Sequence, residues 1–257
     1  MRRILTLSIC AALSVSVGAL IASDARAGAF VCNNPNPIVG GTFGNIVVPE
    51  EATCILQDAT VNGNIEQQSG SQLYLIGVNK GVTVNGNISS QGGQFTSLTT
   101  GADPIEVVGN VDIESNIGVV ICGAHIYGNV AISNLIPGGL FLGATPGTCQ
   151  GAPAEFTTGP NIIGGNVSIA NNDSGNFFVG YNTVGKNMSI TDNKGGEAVF
   201  ANKVTGNLTC SDNAPPFFIS TSPPLSNQAK KLIGQCAPSG GLTVPPTLLA
   251  LADEVIE

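Results

Sequence analysis

A Gly-Asn step that recurs in a fixed apolar frame is the feature of this sequence that most constrains its fold. The frame occurs seven times, with Val or Ile three residues before the Asn and an aliphatic residue directly after it, and in the copy at Asn187 the residue before the Asn is Lys186 rather than Gly. The asparagines of these copies are Asn64, Asn87, Asn110, Asn129, Asn166, Asn187 and Asn207. They are separated by 23, 23, 19, 37, 21 and 20 residues. A unit that recurs about every 21 residues predicts a repeat architecture.

Each unit shows the period-two apolar alternation of strands rather than the spacing of helices. Two further Asn series lie at fixed offsets, six residues after and five residues before a Gly-Asn step. Their members are Asn116, Asn172, Asn193 and Asn213 in the first series and Asn161, Asn182 and Asn202 in the second. Asn and Gly accept the left-handed backbone of a tight corner, and stacked Asn side chains can bond to their copies one coil away. Each unit therefore predicts three strands and three corners.

Three short strands in about 21 residues describe one coil of an all-β, single-stranded, right-handed parallel β-helix. One coil cannot bury its own apolar face, so the coils must stack, and the seven copies predict about seven of them. A β-sandwich or an antiparallel barrel is the alternative. It needs hairpin turns at shorter spacing and does not require the same residues every 21 positions.

The chain divides into four predicted segments. Residues 1–27 are a signal peptide, and 28–59 form an N-terminal cap and first coil. Residues 60–213 form the β-helix, and 214–257 form a C-terminal cap and tail with a short helix at Asn227–Ile233. The step of 37 residues places an inserted loop, rich in Gly, Pro and Thr, at 144–160.

The first 27 residues predict export. Arg2 and Arg3 precede an apolar run, and Ala25-Arg26-Ala27 is a small-x-small cleavage site. An uncleaved membrane anchor is the alternative reading of this run. No later stretch is long and apolar enough to span a membrane. The processed chain is expected in the periplasm, at the cell surface or outside the cell.

Six cysteines remain after cleavage, and an even number in an exported chain predicts disulfides. They are Cys32, Cys54, Cys122, Cys149, Cys210 and Cys236. Fifteen pairings are possible, and locality favours Cys32–Cys54, Cys122–Cys149 and Cys210–Cys236. The first and last of these would cap the open ends of the helix, and the second would hold the inserted loop. Wide spacings and a single His argue against a zinc site.

Several runs resemble a group of exported bacterial repeat proteins. The resemblance rests on Ile163-Gly-Gly-Asn-Val-Ser-Ile-Ala-Asn-Asn172, Thr183-Val-Gly-Lys-Asn187, Gly206-Asn-Leu-Thr-Cys210 and Gly234-Gln-Cys236. That group carries repeated Gly-Gly-Asn-Val frames and a terminal Gly-Asn-Leu-x-Cys…Gly-Gln-Cys. The resemblance covers about residues 55–236 and implies export and a β-helix, but no reaction.

The charge balance excludes some partners. The chain has a formal net charge of -8, and its three arginines, at 2, 3 and 26, all precede the cleavage site. Without Arg the processed chain lacks the planar donor that suits phosphate, so no nucleic-acid partner is expected. It also lacks the Arg that takes the proton in the polysaccharide lyases of this fold. No cofactor is expected.

A carboxylate pair and an acidic corner are the candidates for chemistry. Asp112 and Glu114 share the outward face of one strand, about 7 Å apart, within the range of an inverting glycosidase. Asp173, Asp192 and Asp212 lie near one corner and are candidate calcium ligands. Solubilising surface charge is the alternative reading of both sets. The sequence predicts an exported, non-catalytic structural or interaction module, with a polysaccharide-binding or polysaccharide-degrading protein as the alternative; a glycan or surface-protein partner remains open.

Overall fold

The computed structural model describes residues 29–100, 103–143, 160–173, 175–195, 198–216, 218–220 and 225–237. These residues form 26 strands and contain no helix. In chain order the strands are β1 (Phe30–Val31), β2 (Ile38–Val39), β3 (Thr42–Phe43), β4 (Ile46–Val48), β5 (Thr53–Gln57), β6 (Thr60–Val61), β7 (Ile65–Gln67), β8 (Gln72–Gly77), β9 (Val82–Val84), β10 (Ile88–Gln91), β11 (Phe95–Thr100), β12 (Ile105–Val107), β13 (Val111–Glu114), β14 (Gly118–Cys122), β15 (Ala124–Ile126), β16 (Val130–Ser133), β17 (Gly139–Leu142), β18 (Asn161–Ile163), β19 (Val167–Ala170), β20 (Asn176–Gly180), β21 (Asn182–Val184), β22 (Met188–Thr191), β23 (Ala198–Phe200), β24 (Lys203–Ser211), β25 (Phe218–Ile219) and β26 (Gln228–Gly234). Within the described ranges no helix is available to cross a membrane.

Every third strand pairs in parallel with its copies, which confirms the predicted parallel β-helix. Face 1 begins directly after each Gly-Asn step and contains β1, β4, β7, β10, β13, β16, β19, β22 and the second halves of β24 and β26. Face 2 stacks β2, β5, β8, β11, β14, β17, β20, β23 and β25. Face 3 stacks β3, β6, β9, β12, β15, β18, β21 and the first halves of β24 and β26. The described residues thus form about eight stacked coils.

The interior is one continuous apolar column. On face 1 the residues directly after the Gly-Asn steps pair in register, namely Ile65, Ile88, Val111, Val130, Val167, Met188 and Leu208. All seven are buried in a single core cluster that also receives the inward residues of faces 2 and 3. Each aliphatic side chain packs on its copy in the next coil. The apolar area of one coil is therefore buried mainly by its two neighbouring coils.

The corner backbone differs from the sequence prediction. The non-glycine residues with a left-handed backbone are Glu51, Asp58, Ser115, Asn134, Asn171, Tyr181, Asp192, Ala201 and Asp212. None of the Gly-Asn asparagines is among them. In the series Asn116, Asn172, Asn193 and Asn213, each asparagine instead follows the left-handed residue by one position. These asparagines therefore act through their side chains, and the residue before each of them makes the turn.

The stack of coils continues on both sides of residues 60–213. β1 and β4 precede residue 60, in the segment predicted as the N-terminal cap and first coil, and β25 and β26 follow residue 213 in the segment predicted as the C-terminal cap. The expected helix at Asn227–Ile233 is wrong, because this segment belongs to strand β26, which pairs with β24. The edge of β24 offers a full row of backbone groups, and pairing to it overrides the local helical pattern.

Disulfides join the end coils. Cys32 bonds to Cys54 and Cys210 to Cys236, with Cα–Cα distances of 5.4 and 5.1 Å. Cys122 is also disulfide-bonded. Its predicted partner, Cys149, lies outside the described residues, as do the predicted signal peptide, most of the inserted loop and the predicted C-terminal tail.

The insertion does not disturb the register of the strands around it. β17 pairs with β20 on face 2, and β15 pairs with β18 on face 3 without any shift. The described strands on either side of the insertion therefore keep the same stacking as in the other coils. This is expected if the extra residues form a loop that leaves the helix at one corner.

Candidate functional site

The predicted carboxylate pair lies in an open groove on face 1. Glu50, Glu66, Asp112 and Glu114 line it, and we call these four residues and the surface between them the acidic groove. The groove has a volume of about 710 Å³. It lies over the early coils and crosses the corner between faces 1 and 2.

The strand register sets the positions of these acids. Glu66, Ser89 and Asp112 pair in turn, so the two carboxylates lie two coils apart on one outward row. Glu114 points to the same side as Asp112, since both alternate with buried Val111 and Ile113. Two residues along one strand are about 7 Å apart, so the structure brings the pair together as predicted from the strand pattern.

The polar side chains at the base of the groove form hydrogen bonds with one another. Gln67 is buried and donates to the Ser71 carbonyl at 2.8 Å, while its Oε1 accepts from Thr96 Oγ1 at 2.6 Å. The Ser90 hydroxyl donates to Asn116 Oδ1 at 2.9 Å, and Asn116 Nδ2 donates to Thr96 Oγ1 at 2.7 Å. Gln67 and Ser90 occupy the inward position at which the next four coils have Ile. Their hydrogen bonds stay within this network and do not reach into the groove.

The groove offers carboxylates but few partners for them. Its described lining consists of acids, Gln, Ser and Gly, without a cationic or aromatic side chain. Glu114 Oε1 accepts one bond from Asn134 Nδ2 at 3.2 Å. A carboxylate pair cleaves a glycosidic bond only when other groups of the protein hold the sugar in position beside it. The described groove provides anionic charge and hydrogen-bond acceptors, and it is suited to a cationic ligand.

The candidate calcium residues do not share one position. Asp192 and Asp212 occupy equivalent left-handed corners on successive coils, and the Asp192 N–H donates to the Ser211 carbonyl at 3.0 Å. Asp173 instead pairs with Lys194 through an isolated bridge, so its counterpart in the next coil is a lysine. In the part of the chain that the structure describes, no three His, Cys, Asp or Glu side chains converge as metal ligands.

Two buried ladders of side-chain amides join the coils. In the first, Asn172, Asn193 and Asn213 follow one another, and Gln235 ends the series by accepting from Asn213 at 3.0 and 2.9 Å. In the second, Asn161, Asn182, Asn202 and Asn227 follow one another. The sequence patterns did not identify Gln235 and Asn227 as ladder members, because both lie beyond the regular repeat. The only signal for them is their spacing of 22 residues from Asn213 and 25 residues from Asn202.

An exposed ladder runs along the Gly-Asn corner. Each asparagine N–H donates to Oδ1 of the preceding copy at 2.8 to 3.2 Å. Asn45 begins this series, although Thr42 occupies the place of the usual Val or Ile. In this exposed ladder the N–H of each coil donates to the Asn side chain of the preceding coil. In the two buried ladders the N–H donates to the Asn side chain of the following coil. The amide dipoles of the three ladders therefore do not all add along the axis.

Asp58 is a structural carboxylate that the sequence patterns did not single out. Its Oδ1 accepts from the N–H groups of Val78, Asn79 and Lys80 at 2.8, 2.9 and 3.2 Å. Burial raises the pKa of Asp58, but the three backbone donors outweigh this effect and hold the pKa below its usual value. The side chain thereby fixes the corner between β8 and β9 from one coil away. At Tyr74 of β8, burial raises the pKa of the phenol, which donates to Gln72 Oε1 at 2.9 Å.

Comparison with protein-family models, with curated proteins and with solved structures finds no match to this chain.

Proposed function

We propose that the protein is an exported, non-catalytic β-helix module with a structural or interaction role in the cell envelope or at the cell surface. The proposal is based on the observation that the buried polar side chains bond to one another within the fold. The buried amides of Asn172, Asn193 and Asn213 bond coil to coil, and the groups under the acidic groove bond to each other. The described groove residues offer the exposed pair Asp112 and Glu114 neither a cationic side chain nor an aromatic side chain on which a sugar could stack.

Export is supported by two independent features. The N-terminal segment has the basic start, the apolar run and the small-x-small site of a cleaved signal. Disulfides at both ends of the helix are typical of chains that mature in an oxidising compartment. The Gly-Gly-Asn-Val run at 164–167 and the Gly-Asn-Leu-Thr-Cys210 and Gly234-Gln-Cys236 runs also support export, because they resemble a group of exported bacterial repeat proteins. N-terminal sequencing of the chain from each cell fraction tests this, with Gly28 as the expected first residue.

The alternative function is a polysaccharide-binding or polysaccharide-degrading protein. It is favoured by the separation of Asp112 and Glu114 and by their position in an open groove. The test is release of reducing ends from a panel of acidic and neutral polysaccharides by the wild type, by Asp112→Asn with Glu114→Gln, and by Glu106→Gln as a control. We expect no release by any of them. Release by the wild type and the control that is lost in the double variant would replace the proposed role with catalysis.

A glycan array distinguishes binding from turnover. Saturable binding of one glycan class without release of reducing ends would keep the non-catalytic role and assign its partner. Absence of both binding and turnover would eliminate the polysaccharide alternative.

A further inference from the structure

A second apolar cluster lies outside the main core, on the outward side of face 2. It consists of Val120 and Cys122 of β14, against which Phe95 and Phe141 pack. Val120 and Cys122 alternate with Ile121, which belongs to the main core, so their side chains point away from that core. Val120 is nevertheless only 4% exposed and Cys122 0%. An outward side chain of a sheet is buried only where another part of the protein packs on it.

The two phenylalanine rings do not account for the burial of Cys122. A Cβ at Gly118 would lie 2.6 Å from Cδ2 of Phe95, and a Cβ at Gly139 would lie 3.1 Å from Cε2 of Phe141. Each ring therefore lies over the glycine that begins a strand, β14 or β17. Cys122 is the last residue of β14, about 13 Å along the strand from Gly118.

The covered area extends over the preceding coil. Ser97 and Thr99 of β11 pair with Val120 and Cys122 and share their outward direction. Both side chains are small and polar, yet their exposed fractions are only 6% and 5%. Ser168, at an outward position of face 1, is exposed. Ser97, Thr99, Val120 and Cys122 therefore form one continuous covered area, which we call the face 2 patch.

The disulfide of Cys122 indicates what covers this patch. The other four described cysteines pair with one another, so the partner of Cys122 lies outside the described residues. Of the two cysteines there, Cys10 belongs to the predicted signal peptide, and Cys149 follows the end of β17 by seven residues. A disulfide holds its two Cα atoms within about 7 Å, so the partner of Cys122 lies on the outward side of face 2.

The inserted segment starts beside the patch. The carbonyl oxygen of Gly143 lies 3.3 Å from Sγ of Cys122, and the left-handed backbone of Gly143 turns the chain at the end of β17. Residues 144–159 follow, and Glu155 is their only charged side chain. When extended, a segment of this length reaches about 53 Å. The patch lies on two adjacent coils about 5 Å apart, so the segment is long enough to cross it and return to β18.

We propose that residues 144–159 pack across the face 2 patch and that a Cys122–Cys149 disulfide fixes them there. Val120 and Cys122 then belong to a second small core between face 2 and the segment. In forming the bond, the two thiols give up two protons and two electrons, and an external disulfide takes up both as it is reduced to two thiols. The inference goes beyond the proposed function and does not depend on it. It removes the face 2 patch from the surface that is open to a partner.

Peptide mapping without reduction tests the covalent part of the proposal. We expect digestion of the processed chain to release one disulfide-linked pair of peptides that contains Cys122 and Cys149, and reduction should separate them. A free thiol at Cys149, or a bond from Cys122 to any other residue, would overturn the proposal.

Thiol labelling tests whether the patch is covered. Ser97→Cys places a thiol in the patch, and Ser168→Cys places one at an exposed outward position as the matched control. In the processed chain with its disulfides intact, Ser97→Cys should react with an uncharged maleimide at least about tenfold more slowly than Ser168→Cys. Equal rates would show that the patch is open, which contradicts the proposal.

A deletion identifies the part of the chain that gives the protection. Removal of residues 145–160, together with Cys122→Ala, leaves the corner Leu142-Gly143-Ala144-Asn161. The run Val199-Phe200-Ala201-Asn202 makes the equivalent corner two coils later, with Ala201 in the left-handed backbone. In the deletion variant, labelling of Ser97→Cys should rise about tenfold or more, to near the rate of Ser168→Cys. An unchanged rate would assign the protection to other residues and overturn the proposal.

Circular dichroism shows whether the deletion variant keeps the β-helix. If it does not fold, the second variant replaces residues 145–159 with Gly and Ser at equal length, again with Cys122→Ala. This replacement removes Cys149 and the apolar side chains of the segment and keeps the connection between β17 and β18. Labelling of Ser97→Cys should rise in it as in the deletion, and protection that persists would equally reject the proposal.

Discussion

Asn193 donates both its backbone N–H and its side-chain Nδ2 to one oxygen, Oδ1 of Asn213, at 3.0 and 2.9 Å. The same Asn193 accepts the equivalent pair of bonds from Asn172 at 3.1 and 2.8 Å. Each amide in this buried ladder therefore links two coils and satisfies backbone groups that the corner leaves without a strand partner. The ladder requires a side chain with a donor and an acceptor at one fixed distance from the backbone, which Asn provides.

We predict that Asn193→Ala lowers the free energy of unfolding by about 2 to 4 kcal/mol, because it leaves buried donors on Asn172 and an acceptor on Asn213 without partners. Asn87→Ala is the matched control. Asn87 belongs to the exposed ladder, where water can replace the lost bonds. Its loss should therefore cost about 1 kcal/mol. Chemical denaturation of both variants measures the difference. Equal losses would show that burial of the ladder contributes little.

The close approach of coils at the Gly-Asn corner gives a second prediction. A Cβ at Gly109 would lie 2.5 Å from Asn87 Oδ1 and 2.5 Å from the Gly86 carbonyl oxygen, closer than real Cβ contacts. A Cβ at Gly44 would meet nothing within 4 Å. Gly109→Ala should therefore destabilise the chain by about 1 to 3 kcal/mol, while Gly44→Ala should change it little. The shift in thermal midpoint provides the comparison, and similar shifts for both would contradict the steric explanation.

Much of the fold could be predicted because an aliphatic residue recurs at most inward positions. Ile88 and Val111 lie in register as their spacing implied. The end coils could not be predicted in the same way. The copy at Asn45 was missed because Thr42 replaces the usual Val or Ile. Strand β26 has no Gly-Asn step, and it forms because the edge of β24 is available for pairing.

The corner geometry was also beyond the reach of sequence patterns. Tyr181 and Ala201 adopt a left-handed backbone that neither residue favours, so stacking of the coils overrides local preference at these corners. For the candidate site, strand alternation was enough to place Asp112 and Glu114 on one surface. Glu50 joins the same groove from the corner between β4 and β5, and residue spacing did not indicate that this corner lines the groove.

Asp58 gives a prediction with a defined pH dependence. Its pKa is lower in the folded chain than its ordinary value, which is about 3.9 in an unfolded chain. The carboxylate therefore stabilises the fold above that value, and this contribution is lost as the pH falls through the folded pKa. Asp58→Asn should cost on the order of 1 kcal/mol at neutral pH, a modest amount because the side chain is partly exposed to solvent.

The measurement is the difference in unfolding free energy between wild type and Asp58→Asn from neutral pH down to the acid range. We expect the difference to shrink as the pH falls below the unfolded pKa. Asp112→Asn is the control, since its exposed carboxylate has none of the backbone donors that hold Asp58. A difference for Asp58→Asn that stays constant over the whole range would show that the backbone donors do not depend on its charge.

The two end disulfides lead to a prediction about where the helix unfolds. Cys210–Cys236 closes 26 residues and joins β24 to the segment after β26, whereas Cys32–Cys54 closes 22 residues at the other end. Because each coil contacts only its neighbours, loss of one disulfide should loosen its own end and leave the middle unchanged. The expected local loss is about 3 kcal/mol, from loops of this length. Hydrogen exchange should then show lost protection in β26 for Cys210→Ser with Cys236→Ser, and in β4 and β5 for Cys32→Ser with Cys54→Ser, while β13 and β16 keep theirs. A uniform loss of protection along all coils would mean that the column unfolds as one cooperative unit and that the disulfides act on the whole chain rather than on its ends.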